Sequence, residues 1–255
     1  MTWEAIALAK GTFKDALLVE GLPGIGNVGK VTTDFIIDQL KAKRVYEFRG
    51  NAIPHSVFVN EKNLVELPRI ELFHASVAGR DILFLAGDVQ PISEEACYEF
   101  CETVLDTLEK LNCNEIIALG GIGLKQIPKH PKAYCTGTDK KYVQAFSKAT
   151  GVTDKLYGVV GPIVGVSGVI VGLAGRRKMS AIALLAETYA HPMYLGVKGA
   201  RELLKILNKH LKLKLDLDKL DKEIAELEDE MLVAGKELPM RKFRGLPKGE
   251  TSYIG

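Results

Sequence analysis

Five apolar runs of strand length, Ala16 to Glu20, Val45 to Phe48, Ile82 to Leu85, Ile116 to Leu119 and Ala181 to Ala186, recur along this chain with helix-patterned segments between them. That alternation restricts the fold more than any other feature. A strand, a crossing helix and a second strand bury one another's apolar faces when the strands share a sheet and the helices lie on its surfaces. The expected class is α/β, with a single mixed, mostly parallel sheet flanked by helices. Helical periodicity marks Val31 to Leu40, Ser93 to Leu111 and about Val197 to Leu211. The second of these has Ser93 as N-cap, Glu94 and Glu95 in its first turn and Lys110 in its last, the charge order a helix dipole favours. A chain of 255 residues that is 47% hydrophobic can bury one sizeable core.

Three stretches break the alternation. In "NAIPHSVFVNEKNLVELPRIELFHASVAGRD", short β-prone pieces are separated by Pro54, Asn60, Asn63 and Pro68, which reads as hairpins or a meander and makes the sheet mixed. Farther on, Gly161, Gly165, Gly168, Gly172 and Gly175 fall three or four apart. On a helix they would line one strip, and each costs about 1 kcal/mol of helix propensity relative to Ala, so close packing in the core, between protomers or on a ligand must offset them. After Leu211, apolar residues step by four and three. This divides the chain into an α/β core (1–211), a short heptad helix (212–235) and a flexible basic tail (236–255). The seam Leu217, Leu220, Ile224, Leu227 and Met231 suits either packing along its own domain or association with another chain. In the tail, Phe243, Leu246, Tyr253 and Ile254 are partner-binding candidates scattered among basic residues.

The segment "EGLPGIGNVGKV" carries Gly24, Gly26 and Gly29 as GxGxxG between a strand and a helix. A dinucleotide loop has that order, with Glu47 placed about twenty residues on for a ribose contact. A P-loop would need a hydroxyl after Lys30 to hold a metal ion, and the residue there is Val31. The third reading is a tight strand-to-helix turn that needs glycine for its own backbone. Gly24, Gly26, Asn27, Gly29 and Lys30 are the candidate ligand loop. Lys30, Asp88 and Glu187 would be the polar cluster of an enzyme at the carboxyl ends of the strands, where open α/β sheets bind ligands.

No other catalytic constellation is visible. The cysteines Cys97, Cys101, Cys113 and Cys135 form no CxxC and are expected as reduced, buried apolar residues. The five histidines have no metal-ligand spacing, so no metal or other cofactor is expected. A net charge of +2 is too small to point to nucleic acid. Val159 to Ala174, the longest apolar stretch, falls short of the roughly 20 residues a membrane span needs, and no leader pattern opens the chain, so a cytoplasmic location is expected.

The blocks "LLVEGLPGIGNVGKVTTDFIIDQL", "LFLAGDVQP", "IIALGGIG", "GVSGVIVGLAGRRKMSAIALLAET" and "GARELLKIL", in that order, resemble the archaeal branch of the proteasome assembly chaperone 2 family over about Leu17 to Leu211. The resemblance implies a phosphorylase/hydrolase-like α/β fold without established catalysis, homo-oligomers, C-terminal extensions that reach other proteins, and proteasome α-subunits or related clients as partners. A second homologous chain could join such a complex. It also implies that the glycine segment is a turn. One departure concerns docking between α-subunits, which often uses a penultimate tyrosine. This chain ends Tyr253-Ile254-Gly255, and the shift of one residue, about 3.5 Å, displaces the terminal carboxylate. The rival expectation is a phosphorylase- or ligase-type enzyme that binds nucleotide or phosphate at Gly24 to Lys30.

Overall fold

The computed structural model describes residues 3–9, 13–192, 194–218 and 221–222. Among these the order is β1 (Trp3–Ala7), β2 (Ala16–Glu20), α1 (Val28–Leu40), β3 (Lys43–Gly50), β4 (Phe58–Val59), β5 (Val65–Glu66), β6 (Ile70–Val77), β7 (Arg80–Gly87), α2 (Glu94–Lys110), β8 (Cys113–Leu124), β9 (Ala133–Gly137), α3 (Lys140–Thr150), α4 (Val166–Arg176), β10 (Ser180–Tyr189) and α5 (Val197–Leu211). Eight strands form one sheet in the order β1-β3-β6-β7-β2-β8-β10-β9, while β4 and β5 make a separate hairpin.

The sheet is mixed, as expected, but its parallel part is confined to the centre. Strand β2 runs parallel to β7 and β8, and β8 parallel to β10. The other neighbours, β1–β3, β3–β6, β6–β7 and β9–β10, are antiparallel and outnumber the parallel pairs, which corrects the expectation of a mostly parallel sheet. The reason is local. Parallel neighbours need a crossing helix, and the stretch from β3 to β7 and the step into β9 carry turns instead.

Alternation along the central strands sends side chains to two buried layers. Leu18, Leu83, Leu85, Ile116, Ala118, Ala183 and Leu185 face α2 and α4, where Phe100, Val104 and Ile170 meet them. Leu17, Val19, Ile82, Phe84, Ile117, Ile182 and Leu184 face α1, α3 and α5. Trp3 closes one end of the first layer, its ring tilted 59° against Phe100 with centroids 4.7 Å apart and its indole N–H donating to the Ala96 carbonyl at 3.1 Å. All four cysteines are free and buried, and burial raises the Cys113 thiol to about 12 and the Cys135 thiol to about 11. Both stay protonated and unreactive near neutrality.

Past Leu211 the chain does not continue as a helix at once. Lys212 and Lys214 take positive φ (54° and 57°), and Leu213 and Leu215 are buried in the α5 layer while their neighbours are exposed. Leu213 and Leu215 therefore anchor a short non-helical segment to the core, with the exposed lysines Lys212 and Lys214 beside them. Helix resumes at Leu217–Asp218, and Arg201 pairs with Asp221. Leu217 packs on the α5 layer; Leu220, Ile224, Leu227 and Met231 lie outside the described residues.

The glycine strip also differs from its expectation. A Cβ on Gly168 would sit 2.1 Å from the Ile163 carbonyl oxygen, and one on Gly175 would sit 2.6 Å from Thr138 Cβ, whereas Gly172 has nothing within 4 Å. The strip does not meet one partner along its length. Gly172→Ala is expected to stabilise the protein by up to about 1 kcal/mol, and Gly168→Ala to destabilise it by about 1–3 kcal/mol. Urea denaturation of the two variants checks both signs, and equal effects would contradict this packing.

Candidate functional site

The glycine turn stands at the centre of the sheet, at the carboxyl end of β2. Gly24 is extended (φ −164°), a short 3-10 turn covers Ile25–Asn27, and Gly26 and Asn27 are left-handed (φ 60° and 51°) before α1 begins. Close approach accounts for the glycines. A Cβ on Gly29 would lie 2.8 Å from the Leu119 carbonyl oxygen of β8, and one on Gly26 would lie 2.6 Å from Thr188 Oγ1. The turn is also held by hydrogen bonds. The Gly26 carbonyl accepts from the Gly196 N–H at 2.7 Å. The Gln90 amide donates to the Pro23 carbonyl and accepts from the Val166 N–H, joining the turn to the start of α4.

Lys30 does not face a ligand. It is buried, and its ammonium donates to the Gly87 carbonyl at 3.0 Å and pairs with Asp34 at 2.9 Å. Burial nonetheless pushes the Asp34 carboxyl above its ordinary range, against the pull of Lys30. Asp88 accepts from the Arg69 N–H at 3.0 Å, and Glu187 from the Lys132 N–H at 2.9 Å and the Tyr134 hydroxyl at 3.1 Å. Lys30 and Asp88 are thus neighbours through Gly87, while Glu187 is held on the β9 side. The dinucleotide reading fails on topology as well. Glu47 lies on β3, which β6 and β7 separate from β2, and it makes two hydrogen bonds to Arg49. A ribose contact needs that acid on the strand beside the glycine loop.

One buried acid escaped the sequence reading because Glu20 sits in an apolar run and looks like its solvent-facing end. It is fully buried on the α2–α4 side of the sheet. Its Oε1 accepts from the Leu22 N–H at 2.9 Å, while Oε2 has no hydrogen-bond partner among the described residues. The nearby Ser167 hydroxyl donates to the Leu119 carbonyl instead, at 3.0 Å. Desolvation raises the Glu20 carboxyl to about 7, and no cation contributes to offset it. Chemically this is a neutral acid poised near physiological pH and sealed from substrate.

A cleft of about 230 Å³ opens between Gly24–Asn27 and Ala190–Pro192. That is below the roughly 300 Å³ at which small-molecule sites begin. This end of the molecule also exposes large apolar side chains. The registers place the 51–69 connection, the 88–93 connection, the 125–132 connection and the glycine turn all where β2, β7, β8 and β10 end, since Phe48 pairs Ile70, Ile70 pairs Gly87 and Ala133 pairs Ala186. These connections expose large hydrophobic side chains: Val57, Val59, Leu64, Val65 and Leu67 on the hairpin, Ile92 after β7, and Ile25 in the glycine turn. Val164, next to the Gln90-bonded start of α4, adds to them. Exposed apolar residues concentrated at one end of a sheet suit an interaction site in a folded protein. Sequence reasoning missed it because apolar residues in loops carry no period, although their density between prolines and asparagines was a signal. The tail candidates Phe243, Leu246, Tyr253 and Ile254 lie outside the described residues.

Comparison with known proteins agrees with the fold. PbaB of Pyrococcus furiosus, called an archaeal proteasome activator, shares 27% identity and superposes with a TM-score of 0.84, covering 92% of this chain and 100% of PbaB. PbaA of the same organism, called an archaeal homologue of proteasome-assembly chaperone, matches the fold with a TM-score of 0.74 at 21% identity, over 90% of this chain and 94% of PbaA. The protein MJ1210 of Methanocaldococcus jannaschii is 27% identical over 128 residues, 50% of this chain, so the match spans about half (49%) of that relative. The family model for PAC2 covers residues 18–233, and the chain belongs to the PAC2 family.

Proposed function

We propose that this protein is a non-enzymatic, ATP-independent, homo-oligomeric assembly-chaperone-like protein of the cytoplasm that binds proteasome α-subunits or related clients, partly through its C-terminal helix and tail. The observation that carries the reading is the whole-chain likeness to PbaB, a protein called a proteasome activator, within a family that includes chaperone homologues. Two features of the chain support it. The loop that would hold nucleotide is filled by its own packing, with Lys30 bound to Asp34 and the Gly87 carbonyl. The carboxyl end of the sheet offers apolar surface in place of a polar pocket. Copies joined in one assembly would present several tails at once and gain effective concentration for a multivalent partner.

Native mass spectrometry of the protein with proteasome α-subunits, with and without residues 236–255, tests the reading. Adducts with α-subunits that disappear with the tail are the expected result, and an intact protein that ignores α-subunits in both forms overturns it. The description of PbaB favours a second reading, action on an assembled proteasome. Binding to preassembled particles with no binding to free α-subunits would select it.

A further inference from the structure

Beyond α5 the chain turns back along the same helix. Asn208 Oδ1 accepts from the Leu215 N–H at 2.9 Å, and Arg201 Nη2 donates to Asp221 Oδ2 at 2.8 Å. Residue 215 thus stands beside 208 and residue 221 beside 201, so the returning chain runs antiparallel to α5 and reaches its first turn. The eight residues after Lys222 contain Glu223, Glu226, Glu228, Asp229 and Glu230 and no basic residue. A strongly acidic stretch therefore departs from the amino-terminal end of α5. That helix has no acid in its first turn and no side-chain cap, so its dipole favours negative charge arriving there.

The surface beside that end is basic. A Cβ on Gly196, the residue before α5, would lie 2.5 Å from Thr188 Oγ1 of β10. The next residue of β10, Tyr189, pairs Leu124 of β8, and the Ala190 N–H donates to the Leu124 carbonyl at 2.9 Å. The 125–132 connection begins there and crosses the end of β10 to β9, about 10 Å, or two strand spacings, from the start of α5. It exposes Lys125, Lys129, His130 and Lys132, and no acid occurs between Glu115 and Asp139. Glu187 borders it, with its oxygens already accepting from the Lys132 N–H and the Tyr134 hydroxyl. Asp154 and Lys155 lie past the outer edge of β9, where Thr153 pairs Tyr134, and offset each other. Ile127 adds an exposed apolar side chain between the lysines. From Asp221, the nine residues to Glu230 reach about 14 Å as helix and about 30 Å extended, so the acids span the gap in either form.

We propose that residues 223–230 dock on the 125–132 connection of their own chain, their carboxylates facing Lys125, Lys129 and Lys132 while Ile224 and Leu227 meet Ile127. The contact continues the one that Asp221 and Arg201 begin, and it sets the base of the 236–255 tail at the carboxyl end of the sheet. It goes beyond the chaperone reading and does not depend on it. A single exposed ion pair contributes little, but several on one chain act at high effective concentration. The test is carbodiimide cross-linking, which joins an amine to a carboxylate in direct contact, on full chain mixed from unlabelled and ¹⁵N-labelled protein and read by mass spectrometry. Cross-links from 223–230 to Lys125, Lys129 or Lys132 are expected between peptides of the same isotope alone. Lys125→Glu, Lys129→Glu and Lys132→Glu together are expected to speed amide exchange in 223–230 at least about threefold at low salt, and adding Glu226→Lys, Glu228→Lys and Glu230→Lys to restore it. Circular dichroism establishes that each variant is folded, and the cross-links of the parent stand whether or not the variants are. Absence of these cross-links, or exchange indifferent to the lysine substitutions, overturns the proposal. Links between unlabelled and labelled peptides also overturn it, because the acidic segment would then sit on a second copy.

Discussion

Glu20→Gln is expected to make the protein more stable than the parent at pH 8, by about 3 kcal/mol, and to have little effect at pH 4.5 or below. The folded-state carboxyl titrates at about 7 against an ordinary value of 4.5, because burial disfavours the charged form. Between those two values the folded state holds a proton that the unfolded state has lost. The parent's stability therefore falls as pH rises through that window and levels off above it, where the Leu22 N–H and the neighbouring Ser167 and Leu119 groups only partly offset the burial of the charge. Glutamine keeps the shape and cannot ionise, so it removes the slope. From α2 the Cys97 and Cys101 thiols are the titratable groups that feel Glu20, and no lysine, arginine or histidine contributes to its shift. Chemical denaturation at several pH values provides the measurement. A difference between parent and variant that stays constant with pH would refute the assignment.

The second large effect belongs to the glycine turn. A Cβ on Gly21 would stand 1.9 Å from Thr33 Oγ1 and 2.4 Å from the Gly29 carbonyl oxygen, so β2 and α1 would have to separate. Gly21→Ala is expected to destabilise by about 3 kcal/mol or more, the upper end for overpacking against backbone. Gly24→Ala, in an extended conformation with Gln90 Nε2 no nearer than 3.7 Å, is expected to change stability by less than about 0.5 kcal/mol. A nucleotide fingerprint would reverse the order of interest, making Gly24 indispensable and Gly21 incidental. Thermal denaturation of both variants distinguishes the two.

Much of the core was legible in local pattern. β2 and α5 occupy the segments that periodicity marks, and the Ser93 cap opens α2 as its side chain suggested, accepting from the Ala96 N–H at 3.2 Å. Helix α3 went unmarked because it buries only Val143 and Phe146, too few apolar positions to establish a period. Strand β9 is five residues at the sheet's edge, and only its pairing with β10 makes it a strand. The candidate site was less legible than the fold. Lys30 follows a glycine loop in sequence; its i,i+4 pairing with Asp34 is a local pattern, but nothing local reveals that the Gly87 carbonyl also holds it.

What the sequence determined by itself is the α/β class, the central strands, the main helices and the family resemblance, because strand and helix periods and turn chemistry are properties of neighbouring residues. The tertiary structure alone decided that Glu20 is a buried acid, that Glu47 is three strands away from the glycine turn, and that scattered loop hydrophobics gather at one end of the sheet. Burial and juxtaposition arise from strand order, and strand order comes from which distant segments bury each other best, a quantity no local window contains.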